Sequence, residues 1–175
     1  LPVALERDDL RVVHASWHDE MIGIARESSD AVALYNEHHE LIEGSFPDLD
    51  LDKIDKGLEH QNKNPVKKLT SGPEERTDEP VHASGKIRNE RRVLWWNDYQ
   101  DPFCVFGHYS IPDGDPRGGA AAFCVDYGVG KRWTERRAGE SSGFDLKLAA
   151  LRWPERVVVF DEGAKKSAHL PSWVR

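Results

Sequence analysis

Two histidines end strand-like runs, and they raise the first chemical question. His14 closes "LRVVHA", and His108 closes "FCVFGH" directly after Gly107. Imidazole is the commonest metal ligand and the commonest general base near neutral pH. Sheet-based enzymes place such groups where the chain leaves a strand's C-terminal end, because side chains converge on a crevice there. A hydrogen-bonded histidine of no chemical consequence is the competing reading. The small residue beside each histidine keeps both readings open. A third group is Asp126 in "CVDYG". Burying a bare carboxylate after three apolar residues would be costly. Asp126 therefore reads as a structural acid holding a tight turn before Gly128, in preference to a metal ligand.

Other candidates are weighed the same way. Lys86, Arg88, Arg91 and Arg92 lie close together in the polar stretch 71–93. Guanidinium forks hold phosphoryl groups and stabilise their charge, while a solvated loop balancing nearby acids is the plainer alternative. "WHDE" (17–20) reads as a helix start with acids at its positive end. "NEHHE" (36–40) has the composition of a metal cluster, but adjacent histidines on a helix point about 100° apart, so a solvated polar face is the preferred reading. His60 has no context that lifts it above background. "GVGKRW" is not a phosphate loop, because Val125 and Arg132 stand where Gly and Ser or Thr are required.

The elements that must position these groups follow from periodicity. Residues 2–6 and 10–15 read as short strands around Arg7-Asp8-Asp9. A helical pattern runs from Asp19 to about Glu43 with a break near Ser28-Ser29. A second amphipathic helix, with Leu51, Ile54 and Leu58 on one side, should stop before Pro65. Residues 65–100 read as a loop or cap segment. "FCVFGHY", "AAAFCVDYG", "FDLKLAALRW" and "RVVVFDEG" are four strand candidates, the last two forming a hairpin across Pro154-Glu155. Helices first and strands afterwards give an α/β or α+β class.

The totals bound the function. At 175 residues the chain fits one domain with a substantial core. A formal net charge of -7 argues against general nucleic-acid binding, which needs a basic field for phosphate contacts. No apolar run approaches the roughly 18 residues a bilayer crossing needs, so no membrane partner is expected. Cys104 and Cys124 read as buried thiols in a reducing cytoplasm, with a single disulfide as the alternative. The chain opens on "LPVALERDDLRVVHASW" without an initiator methionine, and is expected to be the C-terminal part of a longer polypeptide or one with a trimmed start.

Taken in order, "VVHASW", "VFGHYS", "CVDYGVGKRW" and "LAALRW" carry a resemblance. The stretch from residue 1 to about 161 resembles the C-terminal half of the calcineurin-like metallophosphoesterases. The nearest branch includes the protein serine/threonine phosphatases and the diadenosine tetraphosphate hydrolases. The resemblance implies half of a four-layer αββα sandwich, with helices over 19–64 and a mostly β layer over 103–161. It also implies that His14 and His108 ligate one ion of a two-metal centre holding Mn²⁺, Fe²⁺/³⁺ or Zn²⁺, with Gly107 giving the backbone room and Asp126 outside the metal shell. Two ions about 4 Å apart would clamp a phosphate during in-line attack. Substrates would be a phosphorylated small molecule, a nucleotide or a phosphoprotein.

Departures from the pattern matter. Ser110 stands where many relatives have a second histidine, a replacement shared with the protein-phosphatase-like branch. Tyr109 replaces the more usual threonine. The family's Asp-x-His, Gly-Asp-x-x-Asp and Gly-Asn-His segments would lie N-terminal to these residues, so a missing N-terminal half, in cis or in trans, is an expected partner. The alternative is a non-catalytic interaction domain or subunit built on a degenerate phosphoesterase scaffold.

Overall fold

The computed structural model describes residues 2–83, 85–100, 102–111 and 116–167. The chain is mixed α/β and divides into two compact units. One comprises Val13–Trp95 with the residues up to Leu5, and the other comprises Glu6–Val12 with Trp96 onward.

β1 (Ala4–Glu6) and β2 (Leu10–Val13) flank a turn closed by the Arg7 amide donating to the Leu10 carbonyl, 2.8 Å. α1 (Asp19–Arg26) and α2 (Ala31–Ser45) then follow with the expected break between them. Asp30 makes that break productive, because its carboxylate accepts from the amides of Val32 and Ala33 and caps α2. α3 (Lys53–Lys63) is capped in the same way by Asp52 and stops before Pro65.

Proline ends one helix and begins the next. Pro65 occupies the first turn of α4 (Pro65–Ser71), where its missing N–H costs nothing. Asn64 caps α4 through its side-chain oxygen and donates its amide to the Tyr35 carbonyl of α2, 2.9 Å. α4 packs on α1, α2 and α3, and Leu69 at its centre is fully buried. The carbonyl of Leu69 accepts from the amides of Ala15 and Ser16, 3.0 and 3.3 Å, which fixes the chain just after β2.

Residues 71–93 are not the expected loop. They form an antiparallel hairpin of β3 (Glu74–Ala83) and β4 (Lys86–Arg92). Sequence periodicity missed it because both faces are polar and no apolar alternation exists. Its register is set by charge: Glu74 faces Arg92, Glu75 faces Arg91 and Arg76 faces Glu90, and opposite charges across a ladder stabilise the pairing.

In the other unit, β5 (Phe103–Phe106) and β6 (Ala122–Cys124) pair in parallel, with Cys104 opposite Ala122 and Phe106 opposite Cys124. Every residue of both strands is buried, as unbroken apolar runs in parallel strands require. The sheet order is β1-β2-β5-β6. Gly119 lets the chain pass close to the backbone at Trp96, where a Cβ would lie 2.0 Å from the Trp96 carbonyl oxygen.

Residues 103–161 do not make one layer. After a short helix, α5 (Arg132–Arg137), β7 (Ala149–Arg152), β8 (Val157–Phe160) and β9 (Lys165–Ser167) form a separate antiparallel sheet. The hairpin across Pro154-Glu155 is present, with Arg152 opposite Val157. Arg132 ties α5 to this region. It donates to the Leu146 carbonyl, 2.6 Å, pairs with Asp161 and lies over the Phe144 ring.

Candidate functional site

β5 ends in a turn that few residues tolerate. The Tyr109 amide donates to the Gly107 carbonyl, 2.8 Å, and His108 between them has φ 66°. An i to i+2 hydrogen bond around a residue of positive φ is a γ-turn of the rare, strained hand. In a non-glycine residue such backbone persists only where the surroundings over-determine it.

The surroundings here do so. Tyr109 is buried, edge-on to Trp96 (4.8 Å between centroids) and to Phe106 (5.8 Å). Its carbonyl accepts from the Cys124 thiol, 3.3 Å. Two residues on, the Ile111 amide donates to the Asp126 carbonyl, 2.8 Å. The strain at His108 is therefore held by packing on β5 and β6.

Asp126 is engaged in the same corner. Its carboxylate accepts from the Gly128 amide, 2.8 Å, and from the Ser110 hydroxyl, 3.4 Å. Gly128 has φ 75°, and a Cβ there would meet Leu146 at 2.7 Å. The carboxylate thus closes the turn after β6 and links it to the segment after His108. Burial raises the Tyr127 pKa, and its hydroxyl is buried without a hydrogen-bond partner among the described residues.

Both cysteines are free and buried. Desolvation pushes Cys104 up to about 12 and Cys124 up to about 11. Neither is a nucleophile near neutral pH, since the thiolate is the reactive form.

His14 directly follows β2, is exposed, and belongs to the unit of Val13–Trp95, whereas His108 belongs to the other. β2 and β5 are neighbours in the sheet order. Beyond His14 the chain is pinned by the Ser16 hydroxyl donating to the Lys68 carbonyl, 2.6 Å, and by the Trp95 indole donating to the Ala15 carbonyl, 3.0 Å. In "WHDE", α1 begins at Asp19 with two acids in its first turn. Burial, then the Lys68 charge, lower the His18 pKa, and burial lowers that of Lys68.

Lys86, Arg88, Arg91 and Arg92 lie on β4, and all four are exposed. Alternation along a strand puts Lys86, Arg88 and Arg92 on one face and Arg91 on the other. Arg91 is paired with Glu75, 2.7 Å. A single fork of the four is therefore not formed on this strand.

Sequence reasoning passed over one cluster. His39 and Glu43 of α2 meet His60 of α3, and one ligand atom from each lies within 4.8 Å of the others. The signal available in the sequence was the four-residue spacing of His39 and Glu43, which shares a helix face; nothing there announced His60.

Compared with family models, curated proteins and solved structures, the chain matches none. Among the described residues, no helix is long and apolar enough to cross a membrane.

Proposed function

We propose that this chain is the C-terminal portion of a metal-dependent phosphoesterase, carrying part of an αββα sandwich. The observation that supports the reading most is the strained turn at His108. A structural histidine at a strand end has no need of left-handed backbone, whereas strain that the fold holds in place clusters at ligand-binding positions. On this reading His108 gives an imidazole nitrogen to a divalent ion, and His14, in the other unit, is the second imidazole that the resemblance implies. The donor type fits, since neutral imidazole suits Mn²⁺, Fe²⁺ and Zn²⁺. Asp126 is committed to the Gly128 amide and Ser110 and stays outside the ligand set.

Divalent ions held by these histidines would supply charge neutralisation on a phosphoryl group and activation of a water. This chain's part is to hold two imidazoles still, through the Ala15–Leu69 and Tyr109–Cys124 contacts. The substrate is a phosphate ester or a dinucleoside polyphosphate. Two free, buried thiols accord with a reducing, cytoplasmic setting.

Isothermal titration with Mn²⁺ tests the reading on the full chain. Weak binding is expected that disappears in the His14→Ala, His108→Ala double variant and persists in His60→Gln. No binding, or binding indifferent to the double change, overturns it.

A further inference from the structure

We infer that His39, Glu43 and His60 form a second, independent divalent-cation site that joins α2 to α3. The inference does not depend on the phosphoesterase reading. His39 and Glu43 are one helical turn apart, so both project from the same face of α2. His60 enters from α3, and its Nε2 lies 2.7 Å from Glu43 Oε1. The two imidazoles are stacked at 4.5 Å between centroids.

Two features separate this cluster from an ordinary surface ion pair. First, Nδ1 of His39 is buried with no hydrogen-bond partner among the described residues. An unpaired buried ring nitrogen costs free energy that a purely structural pair would avoid. Second, the rings are held from outside. Tyr35 stacks on His39 at 5.9 Å, and Phe46 stands edge-on to His60 at 5.3 Å. Asn64, at the end of α3, bonds to the Tyr35 carbonyl of α2 and fixes the helices that present the ligands. The helix backbones that carry the ligands are thus held in place, and only the side chains need to rotate.

The donor chemistry selects the ion. Two imidazoles and one carboxylate suit Zn²⁺ and similar borderline cations, while Mg²⁺ and Ca²⁺ prefer oxygen throughout. A tetrahedral ion with ligand distances of about 2.0–2.1 Å needs donors roughly 3.3 Å apart. Binding therefore draws the three donors around one centre by side-chain rotation and replaces the Glu43–His60 hydrogen bond. The Glu43 side chain is 55% exposed while that of His60 is 12% exposed, so the ion enters from the Glu43 side, and a fourth position faces water there.

Zn²⁺ affinity, measured on the full chain by competition with a chromophoric chelator, tests this. Co²⁺ absorption reports coordination directly. Wild type should bind one Zn²⁺ at this site and show the intense visible bands of tetrahedral Co²⁺. His39→Gln, His60→Gln and Glu43→Gln should each weaken binding by more than the roughly 10–100-fold that losing a ligand's hydrogen-bond partner costs. Glu43 is exposed, so Glu43→Gln keeps the test valid if a histidine variant misfolds, which circular dichroism would reveal. The His14→Ala, His108→Ala double variant should keep the Co²⁺ bands, which separates this site from the proposed phosphoesterase centre. Unchanged Zn²⁺ affinity in Glu43→Gln, or tetrahedral bands lost only in the His14/His108 double variant, would overturn the inference.

Discussion

The turn at His108 and the cluster on α2 and α3 place imidazoles by opposite means. At His108 the backbone is unusual and the side chain follows from it. φ is 66° in a γ-turn, and buried Phe106 and Tyr109 hold the strain. On α2 and α3 the backbone is ordinary helix, and the arrangement arises from side chains on two elements meeting. Strain of the first kind stores free energy locally and is sensitive to whatever packs beneath it. A cluster of the second kind depends on the helices staying in register, and so on their caps and on Asn64.

Removing the support under each region should sharpen this contrast. Phe106→Ala deletes a 1% exposed ring stacked on Trp96, and should cost about 3–5 kcal/mol in urea unfolding. A loss below that range would mean the turn is not held by packing on β5. Asn64→Ala should cost about 2 kcal/mol, combining a lost helix cap with an unpaired Tyr35 carbonyl. Hydrogen exchange at α2 and α4 would show whether the loss is confined to the helical unit.

The strain itself is isolated by a pair of changes. His108→Ala and His108→Gly both delete the imidazole, but only glycine relaxes the left-handed backbone. The glycine variant should therefore be the more stable by about 1–2 kcal/mol. Equal stability in thermal unfolding would show the turn to be unstrained. Glycine substituted at His39, in mid-helix, should instead be the worse of the two by about 1 kcal/mol relative to alanine.

At neutral pH the smallest effect comes from the thiols. Burial holds Cys104 and Cys124 protonated up to about 12 and 11, against an ordinary thiol value of 9.0. The folded state binds more protons than the unfolded one above pH 9. Their contribution is thus complete below that value and is lost as pH rises through 11 to 12. Stability measured from pH 8 to 11 should be flat at first and then fall. A Cys104→Ala, Cys124→Ala variant should lose part of that fall.

Much of the fold was legible where a segment carries its own pattern. The break between α1 and α2 follows from Ser28-Ser29 and Asp30, and the end of α3 from Pro65. β5, β6, β7 and β8 follow from apolar runs bounded by Gly, Pro and Asp. The hairpin of β3 and β4 was not legible, because its pairing energy lies between Glu74–Arg76 and Glu90–Arg92, residues that look merely polar when taken one at a time. α4 is hidden because the pattern makes Pro65 a stop, whereas it is also the first helical residue.

The two candidate sites divide in the same way. Residue types at strand ends pointed to His14 and His108, since a strand's end is a local property. The sequence alone determined α1 to α3, β1, β2, β5 to β8, the apolar setting of the two cysteines and the strand-end histidines, all consequences of local periodicity and composition. Only the tertiary structure decided that His108 takes left-handed backbone, that the Asp126 carboxylate also accepts from Ser110, and that His60 meets His39 and Glu43 from 17 residues beyond Glu43. Those depend on which side chains pack across elements distant in the chain, and no local pattern encodes that.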